Sequence, residues 1–308
     1  MNWDSERIRE IILRALQEDI GTGDVTVLAT IPERAVGSAR ILARQELVCA
    51  GLPLAERVFR SLDPQMRVHL LCNDGDSVKS GQVLLHLEGS ARAILTGERV
   101  ALNFLGRLSG IATMTNRFVR QITGTKAKIR DTRKTTPGLR ELEKYAVKMG
   151  GGTNHRMGLY DAILLKENHI ALAGGVKQAL DQAHAYASLK IAPQRAITAY
   201  EAAGSGDQSV TGDSLQVQIE VRDERELREA LDAGARSVLL DNMTPGQARA
   251  CVLAAKRSDC IVEISGGITL ENVRAHAETG ADYLSSGALT HSAPAANLSL
   301  LVDTIQET

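Results

Sequence analysis

The second half of this chain alternates short apolar segments with amphipathic segments, and this alternation restricts the fold more than any other feature. After residue 124, six segments have the length and composition of strands: 127–131, 162–166, 216–221, 237–241, 261–265 and 283–286. Between them lie segments whose apolar residues have helical spacing, at 139–149, 176–187, 224–233, 245–256 and 270–279. Such alternation predicts a parallel sheet. Six strands do not support a complete eight-stranded barrel, so we predict an incomplete six-stranded α/β barrel with its functional side chains at the carboxyl ends of the strands.

The stretch from residue 131 to residue 169 places basic side chains next to strand ends and turns. These are Arg133, Lys134, His155, Arg156 and Lys166. Asp131 and Arg133 are two residues apart on a predicted strand and would share a face. Pro137 is expected at the start of the following helix, where its missing N–H costs nothing. The pattern indicates cations that converge after strands, with a surface salt-bridge network as the alternative.

Later strands end in carboxylates and then in glycine-rich turns. Glu220 and Asp241 end neighbouring predicted strands and suit Mg²⁺, which takes one or two carboxylates and completes its shell with water and substrate oxygens. The turns are Ser265-Gly266-Gly267 and Ser286-Gly287. Glycine turns late in a barrel, followed by a helix, typically hold phosphate. Arginines match planar carboxylates, so the pattern predicts a substrate with phosphate and carboxylate groups. A buried salt bridge for Glu220 and a core position for His155 remain open alternatives.

The first part of the chain has a different pattern. Residues 5–19 predict an amphipathic helix, and Asp24 after it is expected to cap or turn the chain. Residues 35–88 have a β pattern, whose segment 75–85 resembles a hairpin of biotinyl/lipoyl-type domains without their carrier lysine. Residues 91–123 predict a helix on which Arg99 lies among apolar residues. A surface arginine whose stem covers apolar neighbours is the alternative for Arg99.

Charge and cysteine content narrow the functional classes. The 308 residues carry a formal net charge of −1, which argues against nucleic-acid binding driven by bulk charge. No apolar run is long enough to span a bilayer, and four scattered cysteines without a CxxC pair favour buried thiols in a reducing cytoplasm. The Gly/Ser-rich segment 188–214 is expected to be an exposed loop, dispensable for chemistry.

Several motifs together are specific, and they resemble the quinolinate phosphoribosyltransferase family of NAD biosynthesis. They are EDIGTGDVT, GERVALNFLGRLSGIAT, DTRKTTPGLRELEKYAVKMGGGTNHRMGLYDAILLKENHI, VLLDNM, ISGGITLENV and SSGALTHSAP. The resemblance covers nearly the whole chain in family order. It implies an N-terminal α/β sandwich-like domain at 1–123, to which the tail 288–308 returns, and a six-stranded α/β barrel at 124–287. The implied reaction joins quinolinate and phosphoribosyl pyrophosphate with Mg²⁺, giving nicotinate mononucleotide, pyrophosphate and CO₂.

The resemblance also implies roles for individual residues. Arg99, in the ERVALN segment, would complete the quinolinate site of a neighbouring subunit, so a homodimer is expected, alone or within a hexamer. Arg133, His155 and Arg156 match residues that bind quinolinate. Lys134 and Lys166 match lysines that contact substrate anions. Glu220 and Asp241 match the acidic pair that faces ribose and metal.

The remaining matches concern phosphate. Ser265, Gly266, Gly267 and Gly287 match phosphate-binding turns, with Ser286 beside them, and His291 matches a family histidine near the site. Two departures stand out. Gln218 occupies a position where the family often has a glutamate, and the segment 188–214 is longer than the usual connection.

Other functions remain open at this stage. Lys166 at a strand end could form a Schiff base, as in an aldolase. A non-enzymatic anion-binding protein, or a related phosphoribosyltransferase with another substrate, would also fit. In the family reaction, the pyridine nitrogen would attack ribose C1 as pyrophosphate leaves, and the quaternised nitrogen would then stabilise the carbanion formed by decarboxylation. Such chemistry needs orientation and charge neutralisation and no covalent nucleophile.

Overall fold

The computed structural model describes residues 1–188 and 215–306. Its contacts divide the chain into two compact units. The first contains Met1–Asn116, Pro137–Gly151 and Ala293–Thr308, and the second contains Arg117–Thr136 and Gly152–Ser292. This division differs from the predicted domains at residues 117–123, 137–151 and 288–292, and the domain boundaries stay a prediction. The predicted exposed loop lies outside the described residues, apart from Ser188.

The described residues contain helices and strands in the following order. The helices are α1 (Glu6–Ile20), α2 (Val25–Thr30), α3 (Leu52–Leu62), α4 (Ala91–Gln121), α5 (Arg140–Met149), α6 (Glu167–Ala173), α7 (Val176–Ser188), α8 (Glu224–Asp232), α9 (Pro245–Arg257), α10 (Val273–Ala277) and α11 (Ala288–His291). The strands are β1 (Val36–Ala43), β2 (Leu47–Val48), β3 (Arg67–Leu70), β4 (Ser77–Val78), β5 (Val83–Ser90), β6 (Lys128–Arg130), β7 (Ile163–Leu165), β8 (Val217–Val221), β9 (Ser237–Asp241), β10 (Ile261–Ser265), β11 (Tyr283–Ser285) and β12 (Leu298–Gln306).

The first unit is built on an antiparallel sheet with strand order β12-β1-β5-β3. The last strand of the chain pairs with β1 along its whole length, and β2 pairs with β4 in a separate short ladder. The predicted role of Asp24 is confirmed, because its carboxylate accepts a hydrogen bond from the N–H of Val27 and caps α2.

Two predictions in the first unit are wrong. The stretch 35–88 is not wholly β, since α3 lies within it and begins directly after Gly51 with a proline in its first turn. The apolar residues of α3 are buried, including Leu54, Val58 and Phe59. The helix expected to open at Pro137 instead begins at Arg140, with Leu139 as its N-cap.

The second unit contains a six-stranded parallel sheet with the order β6-β11-β10-β9-β8-β7. Consecutive strands from β7 to β11 are neighbours, and β6 joins the sheet beside β11. Strands β6 and β7 are the two outermost strands of the sheet. The predicted fold class, with an N-terminal sheet domain and a six-stranded α/β domain, is confirmed.

Residues of the central strands alternate between an aliphatic face and a polar face. Val238 and Leu240 of β9 are completely buried, as are Val262 and Ile264 of β10, and α9 contacts β10. Because side chains alternate along a strand, the other face carries Gln218, Glu220, Asp241, Glu263 and Ser265. The sheet therefore holds a row of polar groups on one face.

The four cysteines lie within the described residues and are free and buried, as expected. No helix of the described ranges is long and apolar enough to cross a membrane. The cytoplasmic location stays a prediction.

Candidate active site

The parallel sheet brings most of the predicted site residues to one edge. Arg133 and Lys134 follow β6, and Lys166 follows β7. Glu220 is the second-to-last residue of β8, and Asp241 is the last residue of β9. Ser265 ends β10 before Gly266 and Gly267, and Ser286 and Gly287 follow β11. His155 and Arg156 lie two and three residues after Thr153, which bridges to Arg130 of β6. Since the carboxyl ends of parallel strands share an edge, the cations, carboxylates and glycine turns all lie there.

Lys166 and Glu220 form an ion pair across β7 and β8. The Nζ of Lys166 donates to Oε2 of Glu220 at 2.6 Å, and the Glu220 side chain is only 7% exposed. Burial raises the pKa of Glu220 above its ordinary value; Lys166 opposes this rise, and Asp241 adds to it by charge repulsion. Glu220 thus has a salt-bridge partner, as the alternative held, and a neighbouring carboxylate as well.

The same ion pair bears on the Schiff-base alternative. The amine of Lys166 is engaged with a carboxylate, and this contact competes with its attack on a carbonyl. Within the described ranges, no group of three or more His, Cys, Asp or Glu side chains is arranged to hold a metal ion. Two carboxylates with water and substrate oxygens are the arrangement that Mg²⁺ commonly uses.

The turn after β10 is tied to the turn after β9. The N–H of Asn242 donates to the carbonyl of Ser265 at 2.9 Å, and its side-chain amide donates to Asp241 Oδ2 at 2.7 Å. Gly266 has φ +88°, and a Cβ at this position would lie 2.3 Å from Asn242 Oδ1. Only glycine fits at position 266, and the next residue, Gly267, is exposed with open space around it. The helix predicted at 270–279 is shorter, since α10 spans Val273–Ala277.

Lys134, Gly287 and His291 converge at the ends of β6 and β11. A Cβ added to Gly287 would lie 2.9 Å from Lys134 Cδ and 3.0 Å from His291 Nε2. Thr290 Oγ1 donates to the carbonyl of Lys134 at 2.7 Å and ties the two segments together. The Ser286 hydroxyl is buried and donates to the carbonyl of Ile268 at 2.8 Å. Ser286 therefore links two turns of this edge.

Arg133 and Arg156 lie close enough to influence each other. Burial lowers the pKa of Arg156, and repulsion from Arg133 lowers it further, while Asp161 opposes the shift. Arg156 Nη1 donates to the carbonyl of Ala162 at 3.0 Å, whereas its Nε is buried without a hydrogen-bond partner in the described part of the chain. Two neighbouring guanidiniums favour an anionic ligand with more than one carboxylate.

His155 is held from both ends. Its backbone N–H donates to Asp131 Oδ1 at 2.8 Å, and its ring Nδ1 accepts from the N–H of Arg156 at 2.8 Å. Its Nε2 lies 3.2 Å from Gln218 Oε1. The side chain is 12% exposed, so His155 combines a mostly buried position with a place beside Arg156.

Sequence reasoning missed Glu263, which is completely buried on the polar face of β10. Arg130 Nη1 donates to its Oε2 at 3.0 Å, Gln218 Nε2 donates to the same atom at 3.1 Å, and Ser285 Oγ donates to Oε1. Burial would raise the pKa of Glu263, but the charge of Arg130 and the hydrogen bonds from Ser285 and Gln218 lower it below its ordinary value. A glutamate in the middle of an apolar strand, IVEIS, is the signal that could have found it, because a buried charge must be paired.

Arg99 lies in the first unit, on α4, and its side chain is exposed. Within the single chain this exposure agrees with the alternative of a surface arginine whose stem covers apolar neighbours. Its predicted place in the site of a neighbouring subunit stays a prediction.

Two family models match most of this chain. The model of "Quinolinate phosphoribosyl transferase, N-terminal domain" matches residues 24–109, and the model of its C-terminal domain matches residues 111–203 and 190–301.

Individual relatives and solved structures agree. The chain is 40% identical over 294 residues to the probable nicotinate-nucleotide pyrophosphorylase [carboxylating] of Bacillus subtilis. The aligned region covers 96% of this chain and 93% of that protein. It is 38% identical over 314 residues to a mitochondrial quinolinate phosphoribosyltransferase [decarboxylating] of Nicotiana tabacum, covering 96% and 82%. The nicotinate-nucleotide pyrophosphorylase structure from Francisella tularensis superposes with a TM-score of 0.85 at 37% identity and covers 97% and 96% of the two chains. The chain belongs to the quinolinate phosphoribosyltransferase family.

Proposed function

We propose that this protein transfers the phosphoribosyl group of phosphoribosyl pyrophosphate to quinolinate and decarboxylates the product. Nicotinate mononucleotide, pyrophosphate and CO₂ are formed. The observation that carries the proposal is the edge of the six-stranded sheet, where paired arginines, two lysines, two carboxylates and two glycine turns lie together. A ligand with two ring carboxylates and a ligand with phosphates would together complement these charges.

Quinolinate would bind at the arginine end of this edge. Burial and the repulsion from Arg133 both lower the pKa of Arg156, and a dianion between the two guanidiniums would relieve the repulsion. A guanidinium presents parallel N–H donors that match a carboxylate, so each arginine can hold one carboxylate in a fixed plane. His155, whose ring is fixed at both nitrogens, would limit the orientation of the pyridine ring.

The phosphates would bind at the glycine turns. Lys134 and His291 meet at Gly287, and Gly267 leaves the backbone of the turn after β10 exposed. Ser265 and Ser286 flank these turns, and Ser286 supports the geometry through Ile268. Lysine and backbone N–H groups bind phosphate oxygens well.

Glu220 and Asp241 would hold Mg²⁺. The pKa of Glu220 is raised by burial and by Asp241 even though Lys166 is paired with it, so a further cation at this point would be stabilising. Mg²⁺ bound there would neutralise charge on the departing pyrophosphate. Lys166 would exchange its contact with Glu220 for one with a substrate anion.

The residues contribute by orientation and electrostatics. The lone pair of the pyridine nitrogen forms a bond to ribose C1 while the bond from C1 to the pyrophosphate oxygen breaks. The adjacent carboxylate then leaves as CO₂, its bonding electrons pass to the ring carbon beside the cationic nitrogen, and a proton replaces it. Arg133 and Arg156 would hold the ring in line with C1, and Lys134 and Lys166 would stabilise charge on the phosphates.

The reaction is tested with quinolinate labelled in the carboxyl group next to nitrogen. Purified protein with phosphoribosyl pyrophosphate and Mg²⁺ is expected to release labelled CO₂ and to form nicotinate mononucleotide in equal amounts. Omitting quinolinate, phosphoribosyl pyrophosphate or Mg²⁺ in turn should abolish the release. Turnover of nicotinate instead of quinolinate would contradict the proposal and indicate a related phosphoribosyltransferase.

We further propose a homodimer in which Arg99 reaches the quinolinate site of the partner subunit. The exposed position of Arg99 on α4 leaves its guanidinium accessible to another chain. Arg99→Ala and Lys166→Ala are each expected to be inactive. If subunits exchange at random, half of the dimers are mixed and each has one intact pocket, so activity should return to about a quarter of wild type. Demonstrated exchange without recovery would assign Arg99 to its own subunit.

A further inference from the structure

The polar face of the six-stranded sheet holds a carboxylate that the proposed reaction does not use. Glu263 has no exposed surface, and its two oxygens receive hydrogen bonds from Arg130, Gln218 and Ser285. It lies below the edge where the substrates would bind, two residues before the end of β10. A group in this position can act on substrate only through another residue.

Gln218 connects Glu263 to His155. Its amide nitrogen lies 3.1 Å from Glu263 Oε2, and its amide oxygen lies 3.2 Å from His155 Nε2. A carboxylate accepts hydrogen bonds and cannot donate them, so the amide must face Glu263 with its NH₂ group. The opposite orientation would place a carbonyl oxygen against a carboxylate oxygen. The charge on Glu263 therefore fixes which end of Gln218 meets the histidine.

The orientation of Gln218 in turn determines the proton position on His155. An amide oxygen accepts, so Nε2 of His155 must carry a hydrogen. On the other side of the ring, Nδ1 accepts a hydrogen bond from the N–H of Arg156 at 2.8 Å, which requires a lone pair on Nδ1. Both contacts demand the same form, the neutral ring protonated at Nε2. The position of Glu263 Oε1, 3.7 Å from Nε2, agrees with a hydrogen on that nitrogen.

The same contacts orient the segment that carries Arg156. The Arg156 N–H is bound to His155 Nδ1, the His155 N–H is bound to Asp131, and the Arg156 guanidinium is bound to the carbonyl of Ala162. Rotation of the imidazole would release the first contact. The geometry of the histidine ring and of the Arg156 backbone is thus coupled.

We propose that Glu263 and Gln218 are positioning residues that hold His155 in the Nε2-protonated form and thereby align Arg156 for the carboxylates of quinolinate. The inference rests on the proposed function for the identity of the ligand. The order of action runs from the buried carboxylate to the amide, from the amide to the imidazole, and from the imidazole to Arg156.

A neutral side chain at position 218 is part of this arrangement. A carboxylate in place of the amide would bring a second anion against Glu263, and two such carboxylates do not both stay ionised. It would also replace the amide oxygen by an anion at His155 Nε2, which favours the imidazolium form. The added proton on Nδ1 would then face the N–H of Arg156, and that contact would be lost.

The proton position can be observed without any assay of activity. In protein labelled with ¹⁵N at histidine, long-range ¹H–¹⁵N spectra distinguish a protonated Nε2 from a protonated Nδ1. His155, assigned by loss of its signal in His155→Asn, is expected to show a protonated Nε2 and an unprotonated Nδ1 at neutral pH. In Gln218→Glu the same ring should become an imidazolium. A wild-type ring protonated at Nδ1, or an unchanged ring in Gln218→Glu, would overturn the proposal.

Kinetics test the consequence for substrate. Gln218→Met keeps the length of the side chain and leaves Arg130 and Ser285 in contact with Glu263, so the fold should be retained. We expect KM for quinolinate to rise by about tenfold or more, with KM for phosphoribosyl pyrophosphate nearly unchanged, as for other losses of orienting contacts. Gln182→Met, at an exposed glutamine of α7, is the matched control and should behave as wild type.

The two proposals fail in different ways. Absence of quinolinate turnover by the wild-type protein would contradict the reaction and leave the ¹⁵N result standing. Normal turnover with equal changes in both KM values in Gln218→Met would contradict the positioning role, because a general loss of structure affects both substrates. Unchanged quinolinate kinetics in a folded Gln218→Met would do the same.

Discussion

Glu220 and Glu263 lie on the same face of the same sheet, yet their surroundings shift their pKa values in opposite directions. Glu263 is completely buried and Glu220 is 7% exposed, so burial alone would raise both pKa values. Around Glu263, the charge of Arg130 and the hydrogen bonds from Ser285 and Gln218 outweigh burial and lower its pKa. Around Glu220, burial and the repulsion from Asp241 outweigh the single lysine, and its pKa is raised.

The difference separates a carboxylate that serves the fold from one that can serve a ligand. The interior network, which consists of Arg130, Gln218, Glu263 and Ser285, satisfies both oxygens of its carboxylate with donors from three other strands. The edge pair, which consists of Lys166 and Glu220, joins a buried carboxylate to a lysine whose side chain is 45% exposed. A carboxylate left with a raised pKa beside another carboxylate favours an incoming cation.

The largest expected effect comes from removing the cation of the interior network. Arg130 contacts Glu263 at 3.0 Å and also lies 3.4 Å from the centroid of the Tyr283 ring. Arg130→Met would leave the carboxylate buried without its cation, and breaking such a pair typically costs about 3–5 kcal/mol of unfolding free energy. Denaturant unfolding of the variant and the wild type measures this loss.

Lys166→Met provides the matched comparison at the edge. Because Lys166 is substantially exposed, its pair with Glu220 should contribute only about 0–1 kcal/mol to the unfolding free energy. If Arg130→Met and Lys166→Met lower the unfolding free energy by equal amounts, the interior network and the edge pair do not differ in stability.

A second effect should appear in activity and not in stability. Glu220→Gln keeps the shape of the side chain and removes the charge that we assign to Mg²⁺ and ribose. We expect kcat/KM to fall by roughly 10²-fold, as for the loss of one preorganised electrostatic group, with no loss of stability in denaturant unfolding. Glu278→Gln is the control. Glu278 follows the last residue of α10 and pairs with Arg274 of the same helix. A fully active Glu220→Gln would exclude Glu220 from the metal site.

The sequence predicted the parallel sheet well because each of its strands is a short apolar run between amphipathic segments. The limits of β9 and β10 were predicted as observed, at Ser237–Asp241 and Ile261–Ser265. Helix α3 was missed because its apolar residues lie within a stretch of β-branched residues and turns, where the proline and Gly51 at its start were the available signals. The start of α5 was misplaced because Pro137 is also common in turns.

Some residues of the candidate site could be predicted from the sequence and others could not. Residues at strand ends, such as Lys166 and Asp241, could be predicted because a parallel sheet brings strand ends together. Glu263 could not be placed from its neighbours in the chain, because its partners come from β6, β8 and β11. The exposure of Arg99 could not be predicted either, because an arginine among apolar helix residues fits both a buried and a surface position.

The smallest effect, and the one that tests the comparison most directly, is the dependence of stability on pH. A carboxylate whose pKa is lowered in the folded state stabilises the fold above its unfolded pKa, and that contribution is lost as pH falls through the folded pKa. This applies to Glu263, relative to an ordinary value of 4.5. For Glu220 the sign is reversed. Its folded pKa lies above 4.5, so the folded state binds more protons in that window and loses stability as pH rises through it.

Unfolding free energies of wild type, Glu263→Gln and Glu220→Gln, measured from below pH 4.5 to neutrality, would resolve the two contributions. The deficit of Glu263→Gln relative to wild type should be largest at neutral pH and should shrink on acidification below 4.5. Glu220→Gln should instead improve relative to wild type as pH rises above 4.5, because it lacks the charge whose burial is unfavourable. Mg²⁺ should reduce that improvement by stabilising the charged form in the wild type. Parallel pH profiles for the two variants would mean that the surroundings of the two carboxylates do not differ in the way their contacts indicate.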